Sequence, residues 1–283
     1  LTLFLGTGIR ISELVGLNNE SIDFSNNSFV VTRKGGNHAI LYFSEEVGDA
    51  LAAYLAQKEN DPRIPPEEHA LFLSLQYRRI SVRAVENLVK KYIVASDNFI
   101  VYRDSTKLHT IIAGYPWFSD WGRDSLIAFE GLLLISKRFK IAEEVLLTSM
   151  QKVKQGLVPN GFSEYGGKAL YNSADASLLL FEAVNKYLEY TGNYDFVKNN
   201  LYAQMKSIIN YYVDGITLDG NNIYLDEKDY LIVSGTDKTQ NTWMDAKVNN
   251  IPVTPRNGKA VEINALWYNA LRIMQKLNLK MLL

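Results

Sequence analysis

The 283-residue chain contains no cysteine, which excludes disulfide bonds and thiolate metal sites. It also lacks any apolar run of 18 residues, so the sequence predicts no membrane span. Its formal net charge is only −1, and no overall field therefore attracts the chain to nucleic acid or to an anionic membrane. We expect a cytoplasmic protein without a cofactor, a bound metal or a membrane partner, and the composition leaves its oligomeric state open.

Two regions of the sequence differ in pattern. Residues 1–95 mix short helical stretches with a hairpin pattern, in which alternating apolar residues flank Gly35, Gly36 and Asn37, and they end in an amphipathic helix. Helical patterns dominate the rest, at 124–138, 140–155, 174–191, 195–213 and 260–277, with one small hairpin on the turn 219–222. We predict a mainly α protein with two domains, 1–95 and 96–283.

The segment GYPWFSDWGRD, residues 114–124, is the most informative part of the second region. Its aromatic rings surround Asp120, Arg123 and Asp124. Such a set can bind a sugar, because the rings stack on its C–H faces while the charged groups bond its hydroxyls. The same set can form a buried Arg–Asp pair within an aromatic core, and the chemistry alone leaves both readings open.

In the first region, the string TGIRISELVGL places Arg10 and Glu13 at the spacing of a helical ion pair. The string also resembles the catalytic domain of tyrosine recombinases, and the hairpin VTRKGGNHAILYF and the helix after it follow in that family's order. The resemblance covers about residues 1–93. It implies that Arg10 matches an arginine that binds the scissile phosphate and that Lys34 matches a general acid in the hairpin.

Other parts of the recombinase pattern are absent from this sequence. The family needs an H-x-x-R box and a nucleophilic tyrosine, but none of the three histidines is followed by arginine three positions later. Transfer of a phosphate needs several cationic donors around it, so we expect a truncated recombinase fragment that does not cleave DNA. The remaining cations could make weak contact with DNA, or they could simply form a basic face exposed to solvent. They are Arg33, Lys34, Arg78, Arg79 and Arg83.

The second region resembles the amylo-α-1,6-glucosidase domain of glycogen debranching enzymes. Four blocks carry the resemblance in the family's order: HTIIAGYPWFSDWGRDSL, GLVPNGFSEYGGKALYNSADAS, NTWMDAK and PVTPRNGKAVEINALWYNAL. The family fold is an (α/α)6 toroid with its active site in the loops at one end. The resemblance therefore implies a partial toroid after the α+β fragment and an α-glucan as the substrate.

The resemblance also implies roles for individual residues. Asp245 would be the general acid, which must hold a proton near neutral pH, and Trp243 and Met244 beside it could exclude water; the alternative is an aspartate on a surface loop. Glu262 would either bind sugar hydroxyls or pair with Arg256 or Lys259. The expected substrate contacts are Trp117, Asp120, Trp121, Arg123, Asp124, Asn172, Asp175, Trp243, Arg256 and Glu262, although Asn172, Ser173 and Asp175 are equally good helix caps.

Inverting hydrolysis of a glycoside needs a second carboxylate as general base. A ring of twelve helices needs more than about 200 residues. We therefore expect an open ring, with the general base beyond Leu283. The sequence thus predicts two poorly coupled fragments and a debranching-type glycosidase impaired by truncation. A DNA-binding or integration protein and a non-catalytic glucan-binding module are the alternatives.

Overall fold

The structure is a computed structural model that describes residues 2–33, 35–161 and 168–281. Its contacts divide the chain into two compact units, Leu1–Ala95 (unit 1) and Ser96–Leu283 (unit 2). Within the described ranges, no helix is both long enough and apolar enough to cross a membrane.

Unit 1 combines helices with one small antiparallel sheet. Its elements are α1 (Thr2–Thr7), α2 (Ile11–Gly16), β1 (Ile22–Asp23), β2 (Ser28–Thr32), β3 (His38–Tyr42), α3 (Glu45–Glu59) and α4 (Val82–Asp97). The central strand β2 pairs with both neighbours, and its alternation turns Phe29 and Val31 into the core. The α+β character predicted for this region is confirmed.

Unit 2 is mainly helical. Its helices are α5 (Gly122–Phe129), α6 (Phe139–Gln151), α7 (Asp175–Thr191), α8 (Tyr194–Asn200), α9 (Tyr202–Asp214) and α10 (Val261–Met281). Among the described residues, unit 2 has three two-stranded antiparallel hairpins: β4 (Ile100–Arg103) with β5 (Leu108–Ile111), β6 (Ile223–Asp226) with β7 (Leu231–Ser234), and β8 (Lys247–Val248) with β9 (Ile251–Pro252). A π-helical turn, Glu130–Leu134, continues α5.

Helix α7 lies at the centre of the unit 2 core. It packs against α5, α6 and α10, and both Phe181 and Tyr187 on it are fully buried. Gly192 ends the helix in the left-handed conformation, at φ 64°, which costs glycine little. Because α7 is fixed on several sides, its first residue, Asp175, is held in place for the site described below.

Two local predictions differ from the structure. The helix predicted over 195–213 is broken at Leu201, whose fully buried side chain lies between α8 and α9. The turn predicted at 219–222 is present, because Ile216 and Ile223 exchange backbone hydrogen bonds at 2.7 and 3.1 Å on either side of it, but the longer strand pairing forms between β6 and β7. The alternation of apolar residues fitted both arrangements of the hairpin.

Candidate functional site

Arg123, in the first turn of α5, is the centre of the candidate site. Its Nε and Nη2 donate to the two carboxylate oxygens of Asp175 at 2.7 and 3.1 Å, and its Nη1 donates to Asp245 Oδ2 at 2.8 Å. Nη2 also donates to the Thr242 carbonyl oxygen at 2.9 Å. One guanidinium thus joins the starts of two helices and a distant loop, with a two-pronged geometry that fixes its orientation.

At this site one positively charged side chain is paired with two carboxylates. Burial alone would lower the pKa of Arg123, but hydrogen bonds to Asp175 and Asp245 outweigh burial and raise it above its ordinary value. Asp175 is 4% exposed, whereas the side chain of Asp245 is 28% exposed. One cation therefore faces two carboxylates, and the more accessible one, Asp245, is open to a ligand.

A close backbone approach places Arg123. The Gly122 N–H donates to the Asn160 carbonyl oxygen at 2.8 Å, and a Cβ at Gly122 would lie 2.3 Å from the Pro159 carbonyl oxygen. Only glycine fits such an approach. Asn160 is held from its other side as well, because its N–H donates to the Leu170 carbonyl oxygen at 2.8 Å. The start of α5 is therefore packed directly on the segment around Asn160.

The N-terminus of α7 places Asp175. Ser173 Oγ accepts a hydrogen bond from the Ala176 N–H at 3.1 Å and also donates to Asp175 Oδ1. Ser173 is thus the residue that caps α7, and Asp175 is used for the ion pair with Arg123. The buried Tyr212 hydroxyl donates to the Ala174 carbonyl oxygen at 2.6 Å, which fixes the same turn from the core side.

Asp245 reaches the site from a loop. The Ala174 N–H donates to the Asn241 carbonyl oxygen at 2.8 Å, so this loop is attached to the start of α7. Asn160, which the sequence analysis did not single out, donates its Nδ2 to Asp245 Oδ2 at 3.2 Å. The string Pro-Asn-Gly reads as an ordinary turn, and only the neighbouring backbone contacts turn the Asn160 side chain toward Asp245.

The aromatic residues predicted for the site differ in exposure. Trp117 is 86% exposed and Trp243 is 56% exposed, so both rings are accessible to a ligand. Trp121 is half-buried just before α5, and its backbone pairs with Gly161. Tryptophan rings are enriched where proteins bind partners, so these two rings are candidate ligand contacts.

Asp120 lies in a different environment from the one expected for a substrate contact. It is 1% exposed, and its carboxylate accepts from Arg103 Nε at 2.8 Å and from Thr110 Oγ1 at 3.0 Å. Of the two readings of the segment 114–124, the buried Arg–Asp pair therefore describes Asp120, with Arg103 as its partner. Arg103 lies on β4 and was not identified from the sequence.

The remaining predicted contacts are dispersed. Asp124 is exposed and lines a shallow apolar groove with Phe99 and Ile127. Asn172 has a buried Oδ1 without a partner among the described residues. Glu262 makes a two-pronged ion pair with Arg256, which answers the choice left open between Arg256 and Lys259.

The ion pair of Glu262 has an electrostatic consequence. Burial alone would raise the pKa of Glu262, but the hydrogen bond from Arg256 outweighs it and lowers the pKa. Lys259 is bound instead by Asp226 and Asp229, at 2.7 and 2.6 Å. Within the described parts of the chain, no hydrogen bond or ion pair joins Glu262 to Arg123 or Asp245.

The candidate residues of unit 1 are exposed. The Arg10 side chain is 74% exposed, and its Nη1 lies 3.8 Å from Glu13 Oε1, which Arg33 Nε approaches at the same distance. Arg79 donates at 2.9 Å to the carbonyl oxygens of Val15 and Leu17, and this is a structural contact. Lys34 lies outside the described residues.

Comparison with known families agrees with this division of the chain. The profile of the amylo-alpha-1,6-glucosidase family matches residues 94–283, and that of the phage integrase family matches residues 1–109. Both resemblances stated for the sequence are thereby confirmed.

Individual relatives fall into the same two groups. The glycogen debranching enzyme of Saccharomyces cerevisiae is 24% identical, over 84% of this chain and 20% of its own length. Tyrosine recombinase XerC of Caldanaerobacter subterraneus is 37% identical, over 33% of this chain and 25% of its own length. XerC of Thermodesulfovibrio yellowstonii is 36% identical, over 32% of this chain and 32% of its own length.

The chain thus spans between a fifth and a third of the length of these relatives. The matched regions meet close to the boundary between unit 1 and unit 2. The chain is a two-part chimera that belongs to the amylo-alpha-1,6-glucosidase family over residues 94–283 and carries a segment similar to phage integrases before it.

Proposed function

We propose that unit 2 binds the terminal glucosyl unit of an α-1,6-branched glucan and hydrolyses its glycosidic bond. The observation that carries this proposal is the pairing of Arg123 with both Asp175 and Asp245. A guanidinium held by a buried carboxylate offers fixed donors to sugar hydroxyls, while the more exposed Asp245 supplies a carboxyl group for the chemistry. The partial (α/α)6 toroid that we propose for the fold is supported by the helices packed around α7.

In this mechanism, Asp245 is the general acid. It donates its proton to the glycosidic oxygen as the bond from that oxygen to the anomeric carbon breaks. A water molecule adds to the anomeric carbon, and the proton that it loses goes to a second carboxylate, the general base that inversion requires. Asp245 is left as a carboxylate, and its ion pair with Arg123 then stabilises the charge that it has acquired.

The remaining substrate contacts follow from exposure. Trp117 and Trp243 have accessible rings that can stack on glucosyl units, whereas Asp120 is saturated by Arg103 and Thr110 and is not included. Asn172 has an unsatisfied oxygen that a sugar hydroxyl could satisfy by donating to it. Glu262 and Arg256 are proposed to contact the substrate together, as the ion pair that they form in the structure.

The test is hydrolysis of a glucan that carries single α-1,6-linked glucosyl stubs, with NMR detection of the released anomer. The full chain should release β-glucose, because the proposed mechanism inverts the anomeric centre. Asp245→Asn keeps the shape of the side chain but removes the acid, so the rate should fall about 100- to 10,000-fold. Exposed Asp195→Asn, on α8, is the matched control and should keep the rate of the unmodified chain.

Two results would contradict this function. One is a folded chain that binds no glucan and releases no glucose. The other is an Asp245→Asn variant as fast as the control. Glucan binding without hydrolysis would instead support a non-catalytic glucan-binding module.

Unit 1 supports a second candidate function, which is DNA contact. The side chains of Arg10 and Arg33 are 74% and 49% exposed, and Arg78 and Arg83 are exposed as well. Cations in this state can neutralise phosphates, and binding should then weaken steeply with salt. The test is a DNA titration at two salt concentrations. Binding that weakens steeply with salt would support the proposal, and absence of binding would contradict it.

A further inference from the structure

Asn160 is completely buried, yet half of its side-chain amide has no described partner. Its Oδ1 lies among the buried polar atoms without a hydrogen bond, while its Nδ2 donates to Asp245 Oδ2 at 3.2 Å. Burying an amide oxygen without a partner is costly, and such a group in a folded protein calls for an explanation. The contact with Asp245 is the one hydrogen bond that the side chain makes to a described residue.

The backbone of Asn160 is fixed more firmly than a turn requires. Its carbonyl oxygen accepts from the Gly122 N–H at 2.8 Å, and its N–H donates to the Leu170 carbonyl oxygen at 2.8 Å. Gly122 immediately precedes Arg123 in α5, so one backbone contact places both groups that donate to Asp245. The amide of Asn160 is therefore a preorganised donor at this carboxylate.

The two donors act on the same atom of Asp245. Arg123 Nη1 and Asn160 Nδ2 both donate to Oδ2, and Oδ1 has no partner among the residues that the structure describes. Among the described residues, the Arg123 guanidinium from α5 and the Asn160 amide contact this carboxyl, and Asp175 from α7 shares the guanidinium. Two donors thus hold one oxygen, while the other has no described partner on a side chain that is 28% exposed.

We propose that Asn160 is a positioning residue for the general acid. It holds Oδ2 of Asp245, so that Oδ1 carries the proton to the glycosidic oxygen, and it donates to the carboxylate that forms when that proton leaves. This inference rests on the proposed function, because it assigns Asn160 to the step in which Asp245 protonates the leaving group. In this role Asn160 acts on the reaction through Asp245.

The test compares two substrates that differ in their need for a proton. Departure of a sugar from an α-1,6-linked oligosaccharide needs protonation, whereas departure of fluoride from α-glucosyl fluoride does not. Asn160→Ala should lower kcat for the oligosaccharide about 10- to 100-fold, the effect of one hydrogen bond to a charged group. It should leave KM and the rate on the fluoride nearly unchanged.

Asn264→Ala is the matched control for loss of a structural amide. Among the described residues, the Asn264 side chain bonds to backbone groups alone, at Ile232 and Ala260, and to none of the residues assigned to the proposed chemistry. This variant should change stability without altering the ratio of the two rates. If Asn160→Ala slowed both substrates equally, or neither, the positioning role would be overturned.

An NMR measurement tests the inference even if the chain shows no turnover or the alanine variant does not fold. The side-chain amide signals of Asn160 should shift when Asp245 is replaced by asparagine, because their acceptor changes from a carboxyl group to an amide. Unchanged signals would overturn the proposed contact and with it the role of Asn160. Absence of hydrolysis on both substrates by the unmodified chain would instead contradict the proposed function.

Discussion

Arg10 in unit 1 and Arg123 in unit 2 both lie near the start of a helix, but they differ in exposure and in the sequence distance to their partners. Arg10 is 74% exposed and approaches one carboxylate three residues away, at 3.8 Å. Arg123 is buried and donates to residues 52, 119 and 122 positions away. The contacts of Arg10 are thus local, whereas those of Arg123 are made by the tertiary fold.

This difference teaches how a site is preorganised. A guanidinium bound by a neighbour on the same helix keeps its conformational freedom, so such a pair contributes little to stability. A guanidinium bound by distant carboxylates is held in one orientation before any ligand arrives, which favours binding and catalysis. By this criterion unit 2 contains a charged cluster held in one geometry, and unit 1 presents separate exposed cations.

The largest expected difference between the two units comes from replacing each of the two arginines in turn. Arg123→Ala leaves Asp175 buried without its cation, so unit 2 should lose about 3–5 kcal/mol of stability. Arg10→Ala should change stability by less than about 0.5 kcal/mol. Urea denaturation of the full chain measures both effects, and hydrogen exchange assigns them to unit 1 or unit 2. Equal losses would show that the two arginines are held alike.

Two glycines provide the next comparison. A Cβ at Gly122 would collide with the Pro159 carbonyl oxygen, so Gly122→Ala should cost about 1–3 kcal/mol and disturb the bonds of Arg123. A Cβ at Gly16, in α2, would meet no atom within 4 Å, so Gly16→Ala should stabilise its helix by about 0.5–1 kcal/mol. Thermal unfolding of both variants tests this, and a neutral Gly122→Ala would contradict the close approach.

The smallest expected effect is electrostatic and concerns two glutamates. The hydrogen bond from His69 lowers the pKa of exposed Glu20, and Arg256 lowers that of half-buried Glu262 despite burial. Each glutamate contributes stability above its unfolded pKa, close to 4.5, and loses it as the pH falls through the lowered folded value. NMR titration of the carboxyl carbons should detect both shifts.

Salt separates the two glutamates. In about 1 M salt the Debye length falls to about 3 Å, so the shift of the exposed Glu20 should shrink more than that of Glu262. Arg256→Ala is the control for Glu262, since burial should then raise its pKa. Equal sensitivity to salt in both glutamates would show that burial does not protect the second pair.

Several features of the fold could be predicted from sequence because their causes are local. The apolar spacing located α6, α7 and α10, and the Gly35–Gly36–Asn37 turn located the hairpin β2–β3. The hairpin β4–β5 was not predicted, and the break at Leu201 was missed. The hairpin is local, with Arg103 opposite Leu108, but its strands are only four residues long, and the break at Leu201 lies inside a continuous helical period, so periodicity reveals neither.

The candidate site shows the same limit. Arg123 was identified because it lies within a distinctive aromatic segment, but the same segment suggested Asp120, which is bound by Arg103. Asn160 was missed because its string is an ordinary turn. Choosing between two nearby aspartates requires knowledge of which distant arginine faces each one.

The sequence by itself determined the two-part composition of this protein, the helical character of unit 2 and the importance of Arg123. These follow from short strings, their order and their spacing, which are properties of the chain read locally. The tertiary structure alone decided that Asp175 and Asp245 share one guanidinium, that Asp120 is removed from the site, and that Asn160 reaches Asp245. The physical reason is that buried charged groups need partners, and in a folded chain those partners come from segments that the linear order separates.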